Sequence, residues 1–133
     1  MEPQDEPVAE RLLHAEEVFR IQGAIFEVYR ELGPGFLEAV YQESLALEFR
    51  ARGIPFEVGA PLGISYKGTR LQHTYVPDMV CYGRILLELK AVREFAPEHR
   101  AQLLNYLKAT GLRLGLLVNF GGSPKARVQR LVL

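Results

Sequence analysis

A chain of 133 residues, 48% hydrophobic and with no net formal charge, has room for one domain and one modest core. It has no run of about 18 apolar residues, so no membrane span is expected. With one cysteine, Cys81, and three histidines, neither an internal disulfide nor a structural zinc site is expected.

Residues 1–8 are acidic and polar and are expected to form a flexible tail. They lack the basic and apolar regions of a signal peptide, which points to the cytoplasm. From about Ala9 to Leu32 the pattern is helical, with Val18, Ile21, Ile25, Val28 and Leu32 three or four apart. Gly33-Pro34-Gly35 stops that helix. A second helix is predicted from about Phe36 to Arg52, burying Leu37, Val40, Tyr41, Leu45 and Phe49, with Gly53 as its end. The period then changes to that of strands over Phe56–Val58, Leu62–Tyr66, Arg70–Val76 and Val76–Cys81, with Lys67-Gly68 as a turn. Tyr82-Gly83-Arg84 reads as another turn, and Ile85–Val92, apolar on both faces, as a buried strand. Pro97 opens a third helix that Gly111 ends. Leu114–Asn119 is an apolar strand, Gly121-Gly122-Ser123-Pro124 a loop, and Val128–Leu133 a last strand. Helices, then antiparallel strands, then helix and strand predict an α/β domain over 9–133, with a mixed sheet and helices on its faces.

Asp78 and Glu88 stand out within this plan. Glu88 and Lys90 are two apart on a strand, so they share a face while Leu89 points the other way. A hairpin centred on Gly83 sets residue 78 opposite residue 88, with Cβ atoms roughly 5 Å apart. Two carboxylates that close repel unless a cation or proton lies between them. A divalent metal with Lys90 beside it resolves the conflict.

This Pro-Asp…Glu-x-Lys pattern resembles the PD-(D/E)xK nuclease superfamily. Gly35-Phe36-Leu37-Glu38-Ala39-Val40-Tyr41 fits G-x-x-E-x-x-Y, the motif of the GxxExxY family within it. The likeness runs from about Ile21 to Phe120 and includes Gly33-Pro34-Gly35, Asn105 to Gly111 and Gly115 to Phe120. It implies a restriction-endonuclease-like α-β-β-β-α-β core with an extra N-terminal helix. It also implies hydrolysis of phosphodiester bonds, in DNA, with Mg²⁺ or Mn²⁺. By this resemblance Asp78, Glu88 and the Leu89 carbonyl are metal ligands, with Glu38 as a further ligand or ligand orienter. Lys90 orients the attacking water and stabilises charge on the phosphate. Hard cations of this kind take carboxylate oxygens, not thiolates.

Tyr41 shares a helix face with Glu38 and is open to two readings, a hydroxyl that holds Glu38 or a phosphate, or a core tyrosine. Gln102 and Tyr106, four apart on the third helix, resemble the Q-x-x-x-Y clamp of exonuclease-like members, which implies contact with the substrate or with the catalytic residues. Residues 1–50 hold 11 acids and 4 bases, whereas residues 99–133 hold 6 bases and no acid. Arg100, Lys108, Arg113, Lys125, Arg127 and Arg130 are therefore a candidate phosphate-facing surface, or simply balance the acidic N-terminal helices. His73 and His99 lack a partner at ligand spacing, and Cys81 reads as a small core residue. No P-loop is present, so ATP hydrolysis is not expected. No recognition module such as a zinc finger is evident, so a homodimer or a targeting partner is expected to supply specificity. The alternative is a nucleic-acid-binding or assembly module on a nuclease fold with little turnover.

Overall fold

The computed structural model describes residues 13–133. The tail expected at residues 1–8 and the helix start expected near Ala9 lie outside them. Helix α1 spans Ala15–Leu32 and buries Val18, Ile21, Ala24, Ile25 and Val28, the stripe that its spacing dictates. Gly33 ends it with a positive φ that suits glycine, and its N–H returns to the Tyr29 carbonyl. Helix α2 spans Glu38–Arg52 and buries Tyr41, Leu45, Ala46 and Phe49. It starts later than expected because Leu37 is the extended residue before it. Leu37 is 77% exposed, not part of the core.

Seven strands and one more helix follow: β1 Phe56–Val58, β2 Leu62–Tyr66, β3 Thr69–Tyr75, β4 Met79–Cys81, β5 Ile85–Lys90, α3 Pro97–Thr110, β6 Leu114–Asn119 and β7 Arg127–Val132. Five strands form one sheet in the order β1-β4-β5-β6-β7. Strands β5 and β6 are parallel and the other pairs antiparallel. A parallel pair needs a long crossover, and α3 supplies it. The sequence α2-β1-β4-β5-α3-β6 is the expected α-β-β-β-α-β core, with α1 as the extra helix.

Strands β2 and β3 pair only with each other, as a separate two-stranded sheet. The expected strand over Val76–Cys81 is shorter than predicted and begins at Met79. Pro77 has no N–H to give to a ladder, and the chain leaves one sheet before it and joins the other after it.

Alternation along the strands sorts the core by sheet face. Met79, Cys81, Ile85, Leu87, Leu89, Leu114, Leu116 and Val118 pack with α1 and α2 in the larger cluster. Val80, Leu86, Leu117 and Leu131 pack with Leu103 and Leu107 of α3 and with Tyr75 in the smaller one. Cys81 is fully buried, and burial pushes its thiol up to about 12, which leaves it inert.

Candidate active site

Strands β4 and β5 pair Met79 with Leu87, Val80 with Leu86 and Cys81 with Ile85. One step further along this register sets Asp78 opposite Glu88, as a turn centred on Gly83 requires. Both share the α3 face of the sheet with Val80 and Leu86. The two carboxylates are cross-tied to the backbone. Asp78 Oδ2 accepts the Leu89 N–H at 2.7 Å, and the Glu88 carboxylate accepts the Asp78 backbone N–H. Glu88 Oε1 also accepts the Tyr75 hydroxyl. Glu88 is half-buried, and its carboxyl is pushed up to about 7. Desolvation is the main cause and the Glu38 charge adds to it, while Lys90 and the Asp78 N–H pull the other way. A nearby cation would favour its ionised form.

Lys90 is half-buried on the same face, two residues beyond Glu88. Its strand end is held in place: the Phe120 N–H donates to the Lys90 carbonyl at 2.8 Å. Asn119, fully buried and paired in register with Lys90, accepts the Val92 N–H and donates to the Val92 carbonyl. A Cβ at Gly121 would collide with the backbone of Ala91 and Val92, so only glycine fits there. The sequence reading gave Asn119 and Gly121 no role of their own. The signal available was a polar residue closing an apolar strand, followed by Gly-Gly.

Tyr75 was also missed as a functional residue. Its hydroxyl holds Glu88, and its ring stacks on Tyr106 with centroids 3.6 Å apart. Gln102 in turn donates to the Tyr106 hydroxyl at 3.0 Å. Gln102 and Tyr106 thus share a helix face as predicted, and they reach Glu88 through Tyr75.

The remaining expected residues scatter. Glu38 is exposed at the first position of α2, close enough for its charge to act on Glu88. Tyr41 is fully buried, stacks on Phe120, and donates its hydroxyl to the Gly33 carbonyl at 2.5 Å. It therefore pins the loop before Glu38, as the core-tyrosine reading has it, and presents no hydroxyl to a substrate. Lys125, Arg127 and Lys108 are exposed, and Arg100 is half-buried on α3. Arg113 donates to the Leu133 carbonyl and Arg130 to the Leu13 carbonyl, so these two brace backbone. His99 Nδ1 accepts the Ala96 N–H at 3.1 Å and caps α3. A groove of about 760 Å³ lined by Phe26, Tyr29, Pro34, Pro124 and Lys125 contains neither Asp78 nor Glu88.

Asp78 and Glu88 offer hard oxygen ligands, and Glu88 carries the desolvation that a cation would relieve. This donor set fits Mg²⁺ or Mn²⁺. Among the described residues no three His, Cys, Asp or Glu side chains gather into a ready-made metal cluster. Mg²⁺ commonly uses one or two carboxylates and takes its other ligands from water and substrate phosphates, so two suffice for a start.

A family model described as the PD-(D/E)XK nuclease superfamily matches residues 15–131. The solved structure of SSO0001 superposes with a TM-score of 0.54 at 17% identity, over 71% of this chain and 50% of that one. The likeness is one of fold, and the chain spans half the length of that protein. The mixed sheet, its flanking helices and both comparisons agree on a restriction-endonuclease-like fold. No curated protein matches the chain. No helix among the described residues is long and apolar enough to cross a membrane.

Proposed function

The chain belongs to the PD-(D/E)XK nuclease superfamily, and on that footing we propose that it is a nuclease that uses Mg²⁺ or Mn²⁺ to hydrolyse phosphodiester bonds in DNA. The observation that carries this reading is Glu88. It is a half-buried carboxyl raised to about 7, in register with Asp78 and two residues from a lysine without a close ion-pair partner among the described residues. A strand built only for stability would not hold a partly desolvated carboxyl at Glu88 beside Asp78, one step beyond the β4–β5 ladder.

Asp78, Glu88 and the Leu89 carbonyl would hold the ion, with Glu38 acting directly or through water. When bound, the metal lowers the pKa of its water and polarises the phosphoryl oxygen. Lys90 orients the attacking water and stabilises negative charge that grows on the phosphate in the transition state. Tyr75 keeps Glu88 in one rotamer, and the Tyr106–Gln102 pair steadies Tyr75. The Leu89 N–H does the same for Asp78. Arg100, Lys125 and Arg127 contribute to substrate affinity. The GxxExxY family is the subgroup that Gly35, Glu38 and Tyr41 fit, with the cytoplasm as compartment and a second copy or a protein partner as the source of targeting.

One observation favours a second reading. Among the described residues Asp78, Glu88 and Glu38 do not gather into a ready-made three-ligand cluster, which would suit a nucleic-acid-binding module with little turnover. A cleavage assay separates the two. Wild type with Mn²⁺ should cut plasmid or linear DNA, EDTA should stop it, and Asp78→Asn should be inactive while still folded. Calorimetry should show Mn²⁺ binding to wild type and at least tenfold weaker binding to Asp78→Ala. Equal Mn²⁺ affinity in both, with no cleavage by wild type, would leave the binding module as the correct reading.

A further inference from the structure

Strands β2 and β3 form a ribbon of their own beside the main sheet. Residues 62–77 contain no acid but carry Lys67, Arg70 and His73. Along β3 every residue from Thr69 to Thr74 is exposed, and only Tyr75 is buried. Successive strand residues point to opposite faces, so both faces of the outer ribbon meet solvent. An isolated two-stranded ribbon is marginally stable. This one is anchored at its root, where Leu62 and Ile64 pack with Tyr75 against Leu103 and Leu107 of α3.

The two formal charges are placed for an external anion. Neither Lys67 nor Arg70 has a carboxylate partner among the described residues, and Lys67 Nζ lies 5.6 Å from the Tyr66 ring centroid. Arg70 lies across the ribbon: a Cβ at Gly63 would collide with its guanidinium, at the irregularity in the β2–β3 register. The root of the ribbon ends in the site. Tyr75 bonds Glu88, and Asp78 follows three residues later.

From this geometry we infer that the β2–β3 ribbon is a DNA arm that lies in the major groove of duplex DNA and leads its backbone to Asp78 and Glu88. The inference rests on the nuclease reading and narrows its DNA substrate to the B-form duplex. A seven-residue strand is roughly 24 Å long and its partner lies about 4.8 Å away. The major groove of B-DNA, about 12 Å wide, admits a two-stranded ribbon, whereas the deep, narrow major groove of A-form RNA does not. Exposed Tyr66 and Leu71 give the ribbon apolar contacts for sugars and thymine methyls.

The test is fluorescence anisotropy in EDTA with the full chain and three labelled probes of one sequence: a DNA duplex, its single strand and the matching RNA duplex. The variant is Lys67→Asn/Arg70→Gln. Asparagine tolerates the positive φ at position 67. Loss of two phosphate contacts should weaken DNA-duplex binding roughly tenfold or more near 0.1 M salt, and make the log–log salt slope shallower by about 1.8. RNA-duplex and single-strand binding should change little. If the double variant misfolds by circular dichroism, Arg70→Gln alone should show a slope change of about 0.9. Three outcomes overturn the proposal: unchanged DNA-duplex affinity, an equal loss on RNA duplex, or no DNA-duplex binding by wild type. Cleavage with Mn²⁺ keeps the two readings apart. If wild type cuts DNA but the ribbon variant binds normally, the arm is refuted and the nuclease stands. If the variant loses DNA-duplex binding but wild type cuts nothing, the nuclease is refuted and the arm stands.

Discussion

The two faces of the central sheet differ in what they bury. One face carries Leu87, Leu89, Leu116 and Val118 against α1 and α2, in the larger and almost wholly apolar cluster. The other carries Glu88 and Lys90 beside Leu86, under α3 and the root of the β2–β3 ribbon, where a smaller cluster mixes leucines with Tyr75 and Tyr106. Neighbouring residues on one strand thus serve opposite ends. Leu87 and Leu89 hold the fold together, while Glu88 is kept at some cost to it. A carboxyl raised to about 7 is a group that folding has not fully accommodated.

Truncation on the dry face should have the largest effect. Leu87→Ala, at a fully buried position, should cost about 2–5 kcal/mol in urea unfolding. A loss below ~1 kcal/mol would mean that this face is not the structural one.

Glu88→Gln should move stability in the opposite direction, with a definite pH dependence. The folded carboxyl is raised from its ordinary 4.5 to about 7, so its contribution is intact below pH 4.5 and is lost as pH rises through 7. At pH 8 and without metal, Glu88→Gln should therefore be more stable than wild type, by at most ~3 kcal/mol. The two should converge near pH 4. Melting curves across that window check this, and parallel curves for the two proteins would show that Glu88 is not desolvated.

Lys90→Met keeps most of the packing of the stem and removes the charge. Turnover at saturating DNA should fall roughly 10²-fold, as for loss of one preorganised electrostatic group, while Mn²⁺ binding and melting temperature persist. If Lys90→Met cleaves like wild type, the lysine is only a strand residue and this face loses its central catalytic group.

Tyr75→Phe should show the smallest change. It deletes one hydroxyl from Glu88 but keeps the ring stacked on Tyr106, so stability should fall by about 0.5–1.5 kcal/mol. A change of several kcal/mol would make the Tyr75–Glu88 bond a structural element of the fold.

Much of this arrangement was legible along the chain. The helix stripes, the turn at Gly83 and the Glu-x-Lys spacing are local patterns, and the register that sets Asp78 opposite Glu88 follows from that turn. The bounds of β1, β2 and β6 match the predicted strands to the residue. What failed was long-range. Arg70–Val76 and Val76–Cys81 read as successive strands, yet nothing local says that they belong to different sheets. Tyr41 read equally as a core or a substrate residue until its hydroxyl was found on the Gly33 carbonyl. The bonds of Arg113 and Arg130 to the Leu133 and Leu13 carbonyls had no local signal either.

The sequence by itself determined the periodicities, the breaks and the residue types at 78, 88 and 90, because these depend on neighbours within a turn or a hairpin. It also carried the superfamily resemblance that the match over residues 15–131 bears out. Only the tertiary structure decided that Tyr75 reaches Glu88, that Glu38 adds its charge to the same carboxyl, that Asn119 holds the strand end and that the outer part of the ribbon is exposed. Desolvation, side-chain partnership and exposure belong to groups brought together from distant parts of the chain, and no local spacing encodes them.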